Sequence, residues 1–114
     1  MPDPVIDQYG NKCWYHNGQL HRLDGPAIEW ASGSKSWYEN GQLHRLNGPA
    51  ADHAGGTRIW YQDGEKHRLD GPAAEYADGD CEWWYNNRLY PFDEWAYLVR
   101  LSDEQHMLLQ LKYG

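Results

Sequence analysis

The sequence predicts a mainly β protein: an antiparallel β-meander of tandem hairpin repeats in a single twisted sheet, with a C-terminal pair of short capping helices. Three observations predict this fold: a 23-residue internal repeat, an Asn-Gly or Asp-Gly dipeptide at the same place in each copy, and helical periodicity in the tail. The predicted organisation is a lead segment over 1–9, three full repeats and one partial repeat over 10–89, and a helical cap over 90–114.

The repeat begins at Trp14, Trp37 and Trp60, where the chain reads WYHNGQLHRLDGPA, WYENGQLHRLNGPA and WYQDGEKHRLDGPA. The same step of 23 separates a series of glycines, namely Gly10, Gly33, Gly56 and Gly79. A fourth copy drifts after Trp83, because Asn87, Tyr90 and Pro91 replace the turn glycine, the histidine and the arginine. Atypical terminal units are typical of a stacked array, which they close.

The turn chemistry of each copy predicts strands rather than helices. Asn17-Gly18, and its counterparts in the next two copies, is a strong hairpin signal because both central residues must accept positive φ. A Gly-Pro pair follows in each copy and starts a second extended segment. We therefore predict an antiparallel meander with strands over 12–16, 26–31, 35–39, 49–54, 58–62, 72–77 and 81–86. The Leu-His-Arg and Lys-His-Arg segments could be short strands or folded loops.

The tail from Tyr90 onward predicts two short helices that cap the last repeat. One helical face would carry Phe92, Trp95, Leu98, Val99 and Leu101, and another would carry Met107, Leu108 and Leu111. Ser102-Asp103-Glu104-Gln105 matches a capping box at the start of the second helix.

The charge of the chain limits its partners. There are 17 acidic and 10 basic residues among 114, for a formal net charge of −7. Direct nucleic-acid binding is disfavoured, because that affinity depends on many Lys and Arg side chains. No apolar run approaches the ~20 residues of a membrane span, and the first residues lack a signal-peptide pattern. We therefore expect a cytoplasmic protein without membrane contact.

Cysteine and histidine spacing predicts neither a disulfide nor a metal site. Cys13 and Cys81 should lie on the first and last strands of the array, about six strand spacings of ~4.8 Å apart, too far for a bridge. The repeated histidines lack neighbours at zinc-ligand spacing, and the acidic segment Asp78–Glu82 lacks the pattern of a calcium loop. We expect free thiols, no metal and no cofactor.

These residues resemble MORN repeats, a 23-residue hairpin module, because Tyr15, Gly18 and His21 occupy the family's aromatic, turn-glycine and histidine positions. The resemblance covers roughly residues 10–86. It departs at Arg22 and its counterparts Arg45 and Arg68, where the family has glycine, and looks like the HR-x-(D/N)-GPA variant of phage and giant-virus proteins. The resemblance implies a twisted single-layer sheet and a binding role, which for a phage protein would lie in the host bacterial cytoplasm.

The aromatic pairs predict a ladder of rings on each face of the sheet. Neighbouring Trp and Tyr side chains point to opposite faces, and the chain is too short to cover both. Part of one row should therefore stay exposed as a contact surface. Alternatively, both rows only hold the array together.

The repeated His-Arg pairs are the candidate ligand contacts. Arginine can grip a phosphate or carboxylate bidentately, and nearby rings can stack on a base. Alternatively, the pairs are structural: Arg22 and Arg68 bind Asp24 and Asp70, and each histidine donates to a backbone carbonyl. Asn47 stands where the other copies have aspartate, so Arg45 is the best single candidate. The predicted ligand-binding residues are Arg45, His44, Arg22, His21, Arg68, His67, Trp37, Tyr38, Trp60 and Tyr61.

No catalytic motif is present, and copies of one residue set do not converge as an active site does. The leading hypothesis is therefore a non-catalytic, phage-type protein that sequesters a small phosphorylated nucleotide-like ligand and so counters a host nucleotide signal. A protein-protein inhibitor or antitoxin that places an acidic surface on a basic host target is the alternative, since 11 of the 17 acids fall in residues 58–114. A degenerate hydrolase of the same ligand is a third hypothesis. Homo-oligomerisation through the first strand, near residues 12–16, is also expected because nothing obvious covers its edge.

Overall fold

The computed structural model describes residues 3–113 and confirms a mainly β meander followed by two C-terminal helices. Nine antiparallel strands form the main sheet, namely β1 Val5–Ile6, β2 Lys12–Cys13, β5 Ile28–Glu29, β6 Lys35–Ser36, β9 Ala51–Asp52, β10 Arg58–Ile59, β13 Ala74–Glu75, β14 Cys81–Tyr85 and β15 Arg88–Tyr90. Neighbouring strands of the sheet follow one another in this same order. Stacking along this sheet elongates the molecule to 48 × 28 × 20 Å.

Three two-stranded hairpins stand beside the main sheet, one in each full repeat. They comprise β3 Tyr15–His16 with β4 Gln19–Leu20, β7 Tyr38–Glu39 with β8 Gln42–Leu43, and β11 Tyr61–Gln62 with β12 Glu65–Lys66. Each turns through two residues of positive φ, such as Asn17 at 52° and Gly18 at 76°. The Asn-Gly and Asp-Gly signals therefore predicted these turns correctly.

The predicted five-residue strands of the full repeats are interrupted at their tryptophans. Residues 12–13 pair with β1 and β5, whereas residues 15–16 pair with β4, so the chain changes partners at Trp14. The Trp14 N–H nevertheless donates to the Ala27 carbonyl at 2.8 Å. The strands predicted over 26–31, 49–54 and 72–77 are shorter than expected, with only their two central residues in the sheet.

The first strand of the main sheet lies outside the predicted array. Val5–Ile6 pairs with Lys12–Cys13, so the edge near residues 12–16 that we expected to be open is covered at residues 12–13. Val5–Ile6 is also 23 residues before Ile28–Glu29, and both precede a tight turn closed by a glycine. The array therefore begins with a half-repeat that the sequence pattern did not reveal.

The hairpins stack directly on one another along the array. The Gly41 N–H donates to the Leu20 carbonyl at 2.9 Å, and Gly64 makes the same bond to Leu43 at 2.9 Å. Matching side chains of consecutive repeats therefore stand on a common surface, as the repeat predicted. The Leu-His-Arg segments are divided between two structures, since their first residue ends a hairpin strand and the His-Arg pair lies in the following loop.

The tail forms α1 Phe92–Leu98 and α2 Asp103–Tyr113. The predicted capping box is present: Ser102 Oγ accepts the Gln105 N–H at 3.1 Å, and Gln105 Oε1 accepts the Ser102 N–H at 2.9 Å. His106 pairs with Asp93 at 3.0 Å and ties the two helices together.

The buried face of α2 differs from the predicted one. Met107, Leu108 and Leu111 are exposed, whereas Leu109 and Tyr113 pack against the core of Trp83, Trp95 and Ala96. The aromatic Tyr113 was not among the predicted face residues, yet its ring lies edge-on to Trp83 with centroids 5.6 Å apart. In the three full repeats the residue after the proline is small and fully inaccessible, namely Ala27, Ala50 and Ala73.

Candidate functional site

A ladder of three arginines runs along one surface, and each arginine covers a tryptophan of its own repeat. The guanidinium carbons of Arg22, Arg45 and Arg68 lie 3.9, 3.8 and 3.8 Å from the ring centroids of Trp14, Trp37 and Trp60. Each Nη1 also donates to a proline carbonyl four residues later, at 2.9–3.1 Å. One face of Trp37 and one face of Trp60, two of the four predicted aromatic contacts, are therefore already occupied by a cation.

A glycine three residues after each arginine makes this arrangement possible. A Cβ added at Gly25 or Gly48 would lie 2.9 Å from the guanidinium carbon, and one at Gly71 would lie 2.6 Å from it. The arginine folds back over its own loop, and only a residue without a side chain leaves room for it. This accounts for the joint appearance of the arginine and of a glycine three residues after it in each of the three full copies.

The three arginines differ in their carboxylate partners. The Arg22 Nε donates to Asp24 at 2.9 Å and its Nη1 to Glu29 at 3.1 Å. Arg68 repeats this pattern with Asp70 at 2.8 Å and, more loosely, Glu75 at 3.9 Å.

Arg45 makes no ion pair within residues 3–113, as the sequence predicted from Asn47. Asp52 is the counterpart of Glu29 and Glu75 in this repeat, and its side chain is one methylene shorter than that of glutamate. Partial burial lowers the pKa of Arg45 from its ordinary value, and the charge of Asp52 acts in the opposite direction. The guanidinium stays protonated, since arginine does not lose its proton in proteins.

Two open grooves separate the successive arginine loops. The first, about 570 Å³, is lined by Arg22, Leu23, Asp24, Gly25, Trp37, Glu39, His44, Arg45, Leu46 and Asn47. The second, about 590 Å³, is lined by Arg45, Leu46, Asn47, Gly48, Trp60, Gln62, His67, Arg68, Leu69 and Asp70. The first contains two guanidinium groups and two carboxylates, whereas the second contains two guanidinium groups and one carboxylate. The second groove is therefore the more favourable for an anion.

The structure brings most of the predicted ligand residues to these grooves but leaves three elsewhere. His21, Tyr38 and Tyr61 line neither groove. Both tyrosines are half-buried, and burial raises the pKa of Tyr61. In the Tyr row only Tyr15 is clearly exposed, so the open aromatic face is confined to the first repeat.

The histidines join consecutive repeats through Nδ1, which accepts a backbone N–H, while Nε2 of His44 donates to Glu39 at 3.0 Å. His21 Nδ1 accepts the Asn40 N–H at 2.9 Å, and His44 and His67 accept the N–H groups of Asp63 and Asn86 at 3.0 and 2.9 Å. The expectation that each histidine donates to a carbonyl of its own turn is therefore wrong. Because Nδ1 accepts, each ring must be the neutral tautomer with its proton on Nε2. Each of these bonds links one repeat to the next.

This acceptor role predicts a pH dependence of folding. Burial lowers the pKa of His67 in the folded protein, while Glu65 acts in the opposite direction. In the unfolded chain, an imidazole binds a proton near pH 6.5. The stabilisation that neutral His67 gives the folded state is therefore complete above that pH and is lost as the pH falls through the lower pKa of folded His67. We expect the melting temperature to fall between pH 7 and pH 5.

Thermal unfolding of wild type and His67→Gln across that range tests this expectation. The variant should show a shallower decline. His53, an exposed histidine in a turn, provides the matched control, and His53→Gln should retain the wild-type slope. An unchanged slope in His67→Gln would contradict the prediction.

The exposed leucines of the arginine loops were not among the predicted contacts. Leu23 and Leu46 are 78% and 73% exposed, and both line the first groove. Leu69 takes the same place in the second groove. The signal was present in the sequence, because leucine follows His-Arg in each full copy.

Glu82, in the acidic segment Asp78–Glu82, accepts hydrogen bonds from Tyr76 at 2.8 Å and Trp84 at 3.1 Å, so it is not a free surface charge.

Cys13 and Cys81 are free thiols on β2 and β14, which lie six strand steps apart in the main sheet, as predicted. Across residues 3–113, no three His, Cys, Asp or Glu side chains cluster closely enough to hold a metal ion.

No protein-family model, curated protein or solved structure matches this chain. The resemblance to MORN repeats therefore remains a prediction from the residues. Over residues 3–113, neither helix has the length and apolar character needed to cross a membrane.

Proposed function

We propose that this chain is a non-catalytic binding protein that sequesters a small phosphorylated, nucleotide-like ligand in the second groove. The observation that carries the proposal is the free Nε of Arg45. In Arg22 and Arg68 the same atom is held by an aspartate carboxylate. In Arg45 only Nη1 has an acceptor within residues 3–113, the Pro49 carbonyl at 3.1 Å.

A ligand phosphate would take the place of the missing carboxylate. The guanidinium is held in position by Trp37 and by the Pro49 carbonyl. Its Nε and Nη2 donors then form the fork that binds two oxygens of a phosphate. Because the fork is already oriented, little conformational entropy is lost on binding.

The walls of the second groove favour an anion with a planar apolar part. Asn47 and Gln62 are neutral and stand where the first groove has two carboxylates. Asp70 stands where the first groove has Asn47, so the second groove has one repulsive charge fewer. Trp60 and the exposed Leu46 supply apolar contact surface. The base would pack on these side chains rather than on the ring face that Arg68 covers.

Thermal shift against a panel of nucleotides and cyclic nucleotides tests the proposal. A ligand at about 100 times its Kd stabilises the folded state by about 2.7 kcal/mol, which should raise the melting temperature by about 10 °C in a domain of this size. Arg45→Gln should weaken binding at least tenfold. Asn47→Asp should do the same while preserving the fold, because it restores the internal carboxylate that occupies Nε in the other repeats.

Arg22→Gln is the matched control, since Arg22 lines only the first groove, and it should retain the ligand-induced shift. Failure of every panel member at millimolar concentration would overturn the proposal. Equal binding by wild type and Asn47→Asp would do so as well.

The acidic inhibitor is the second candidate, and one observation favours it. Asp63, Asp70 and Asp93 in the C-terminal half are each more than 80% exposed and could face a basic partner. Salt-sensitive capture of a basic protein, lost on charge reversal of Asp63 and Asp93, would support this reading over ligand binding.

A further inference from the structure

The boundaries between neighbouring hairpins use a recurrent set of bonds. A carbonyl at the end of one hairpin accepts an N–H from the turn of the next, at 2.9 Å for Leu20 with Gly41. The following histidine ring accepts a second turn N–H, at 2.9 Å for His21 with Asn40. Both bonds recur at the next two boundaries. At the first two boundaries the arginine N–H also donates to a tyrosine carbonyl, at 3.2 Å in each case.

The first hairpin carries the backbone groups that in later hairpins bond to the preceding hairpin, but no hairpin of this kind precedes it within residues 3–113. Tyr15 O, Asn17 N–H and Gly18 N–H are the counterparts, one repeat earlier, of Tyr38 O, Asn40 N–H and Gly41 N–H. None of the three has a hydrogen-bond partner within residues 3–113. Tyr15 faces Leu20 in the ribbon beside the hydrogen-bonded pair His16 and Gln19, so its carbonyl points outward.

The space beside the turn glycine, which a glutamine side chain fills in the later hairpins, is unoccupied at Gly18. At Gly41 an added Cβ would lie 3.5 Å from the Gln19 side chain of the preceding hairpin, and at Gly64 it would lie 3.7 Å from Gln42. At Gly18 nothing lies within 4 Å. The Gly18 turn has almost the same φ values as the occupied turns, so the edge is already in its receiving conformation.

The opposite end of the array lacks two of the three groups that match this edge. Tyr90 replaces the histidine and therefore offers no ring-nitrogen acceptor, and Pro91 replaces the arginine and has no backbone N–H. In a head-to-tail contact, the fourth repeat of a second copy would therefore supply only one of the three groups, the Leu89 carbonyl. The occupant that supplies all three is a strand of another polypeptide with a histidine at this position.

We propose that the edge formed by Tyr15, Asn17 and Gly18 binds an extended partner segment by strand addition, and that this segment carries a histidine in a Gln-Leu-His-Arg-like context. The histidine Nδ1 accepts the Asn17 N–H, the preceding carbonyl accepts the Gly18 N–H, and the following N–H donates to Tyr15 O. Main-chain bonds supply affinity and the histidine supplies selectivity. The site is separate from the second groove.

Titration of the ¹⁵N-labelled protein with a capped peptide, Gly-Gln-Leu-His-Arg-Leu, tests the proposal. The matched control is Gly-Gln-Leu-Tyr-Pro-Leu, which carries the Tyr-Pro pair of the fourth repeat. The first peptide should shift the Asn17 and Gly18 amide signals and slow their exchange with solvent. The control should bind at least tenfold more weakly.

Three results would overturn the proposal: no shift at millimolar peptide, equal shifts with both peptides, or Asn17 and Gly18 amides that are protected from exchange before any peptide is added. The last would mean that the edge is already covered, by a second copy or by another part of the chain. None of these outcomes depends on nucleotide binding.

Discussion

Replacing Trp95 by alanine is expected to lower the free energy of unfolding by about 3–5 kcal/mol, the usual cost of removing a large aromatic side chain from a core. Trp95 is fully buried, and its ring centroid lies 4.6 Å from that of Trp83. Its Nε1 donates to the Arg68 carbonyl at 3.1 Å, which links the helical cap to the third repeat. The variant loses both the packing and this link.

Urea unfolding followed by circular dichroism measures the loss. Trp95→Phe should cost less, because it keeps an aromatic ring and loses mainly the hydrogen bond. Tyr97→Ala changes an exposed aromatic on the same helix and should alter stability by less than about 0.5 kcal/mol. Similar losses in Trp95→Ala and Tyr97→Ala would show that α1 does not pack as described.

Replacing Gly71 by alanine is expected to cost about 1–3 kcal/mol, the range for forcing extra volume into a packed site. The new Cβ would lie 2.6 Å from the Arg68 guanidinium carbon. Arg68 cannot move without leaving Trp60, the Pro72 carbonyl and Asp70. The change therefore breaks a cation–π contact and two hydrogen bonds at once.

Gly55→Ala is the matched control, because nothing lies within 4 Å of its added Cβ and its φ does not require glycine. It should be neutral or slightly stabilising, since alanine restricts the unfolded chain. Thermal unfolding compares the two variants under identical conditions. Equal stability of Gly71→Ala and Gly55→Ala would contradict the placement of Arg68.

The repeat explains why so much of the fold could be predicted. Turn residues such as Asn17 and Gly18 act locally, because few other residues accept their φ values. The capping box at Ser102 and Gln105 is local in the same way. Because the pattern recurs every 23 residues, each local prediction applies to all of its copies. The order of the strands in the sheet could therefore be predicted as well.

The roles of the arginines could be predicted only in part. Asn47 in place of an aspartate correctly predicted that Arg45 lacks a local carboxylate partner, because that partner lies only two residues away in the other repeats, whereas the role of Arg45 as a ligand contact stays a prediction. The stacking of each guanidinium on its own tryptophan was not predicted, since it depends on a loop that folds back over a glycine. In the last repeat Pro91 removes the cation, and Phe92 and Trp95 cover Trp83 instead.

Local spacing therefore determined the hairpins, their turns, the helix start and the order of the repeats, because each depends on backbone conformations that few residue types can adopt. The exchange of partners at Trp14, the histidine bonds between repeats and the two grooves were decided by the tertiary structure. They arise where side chains from neighbouring repeats meet, and the histidine bonds join residues 19 positions apart, which local spacing cannot position.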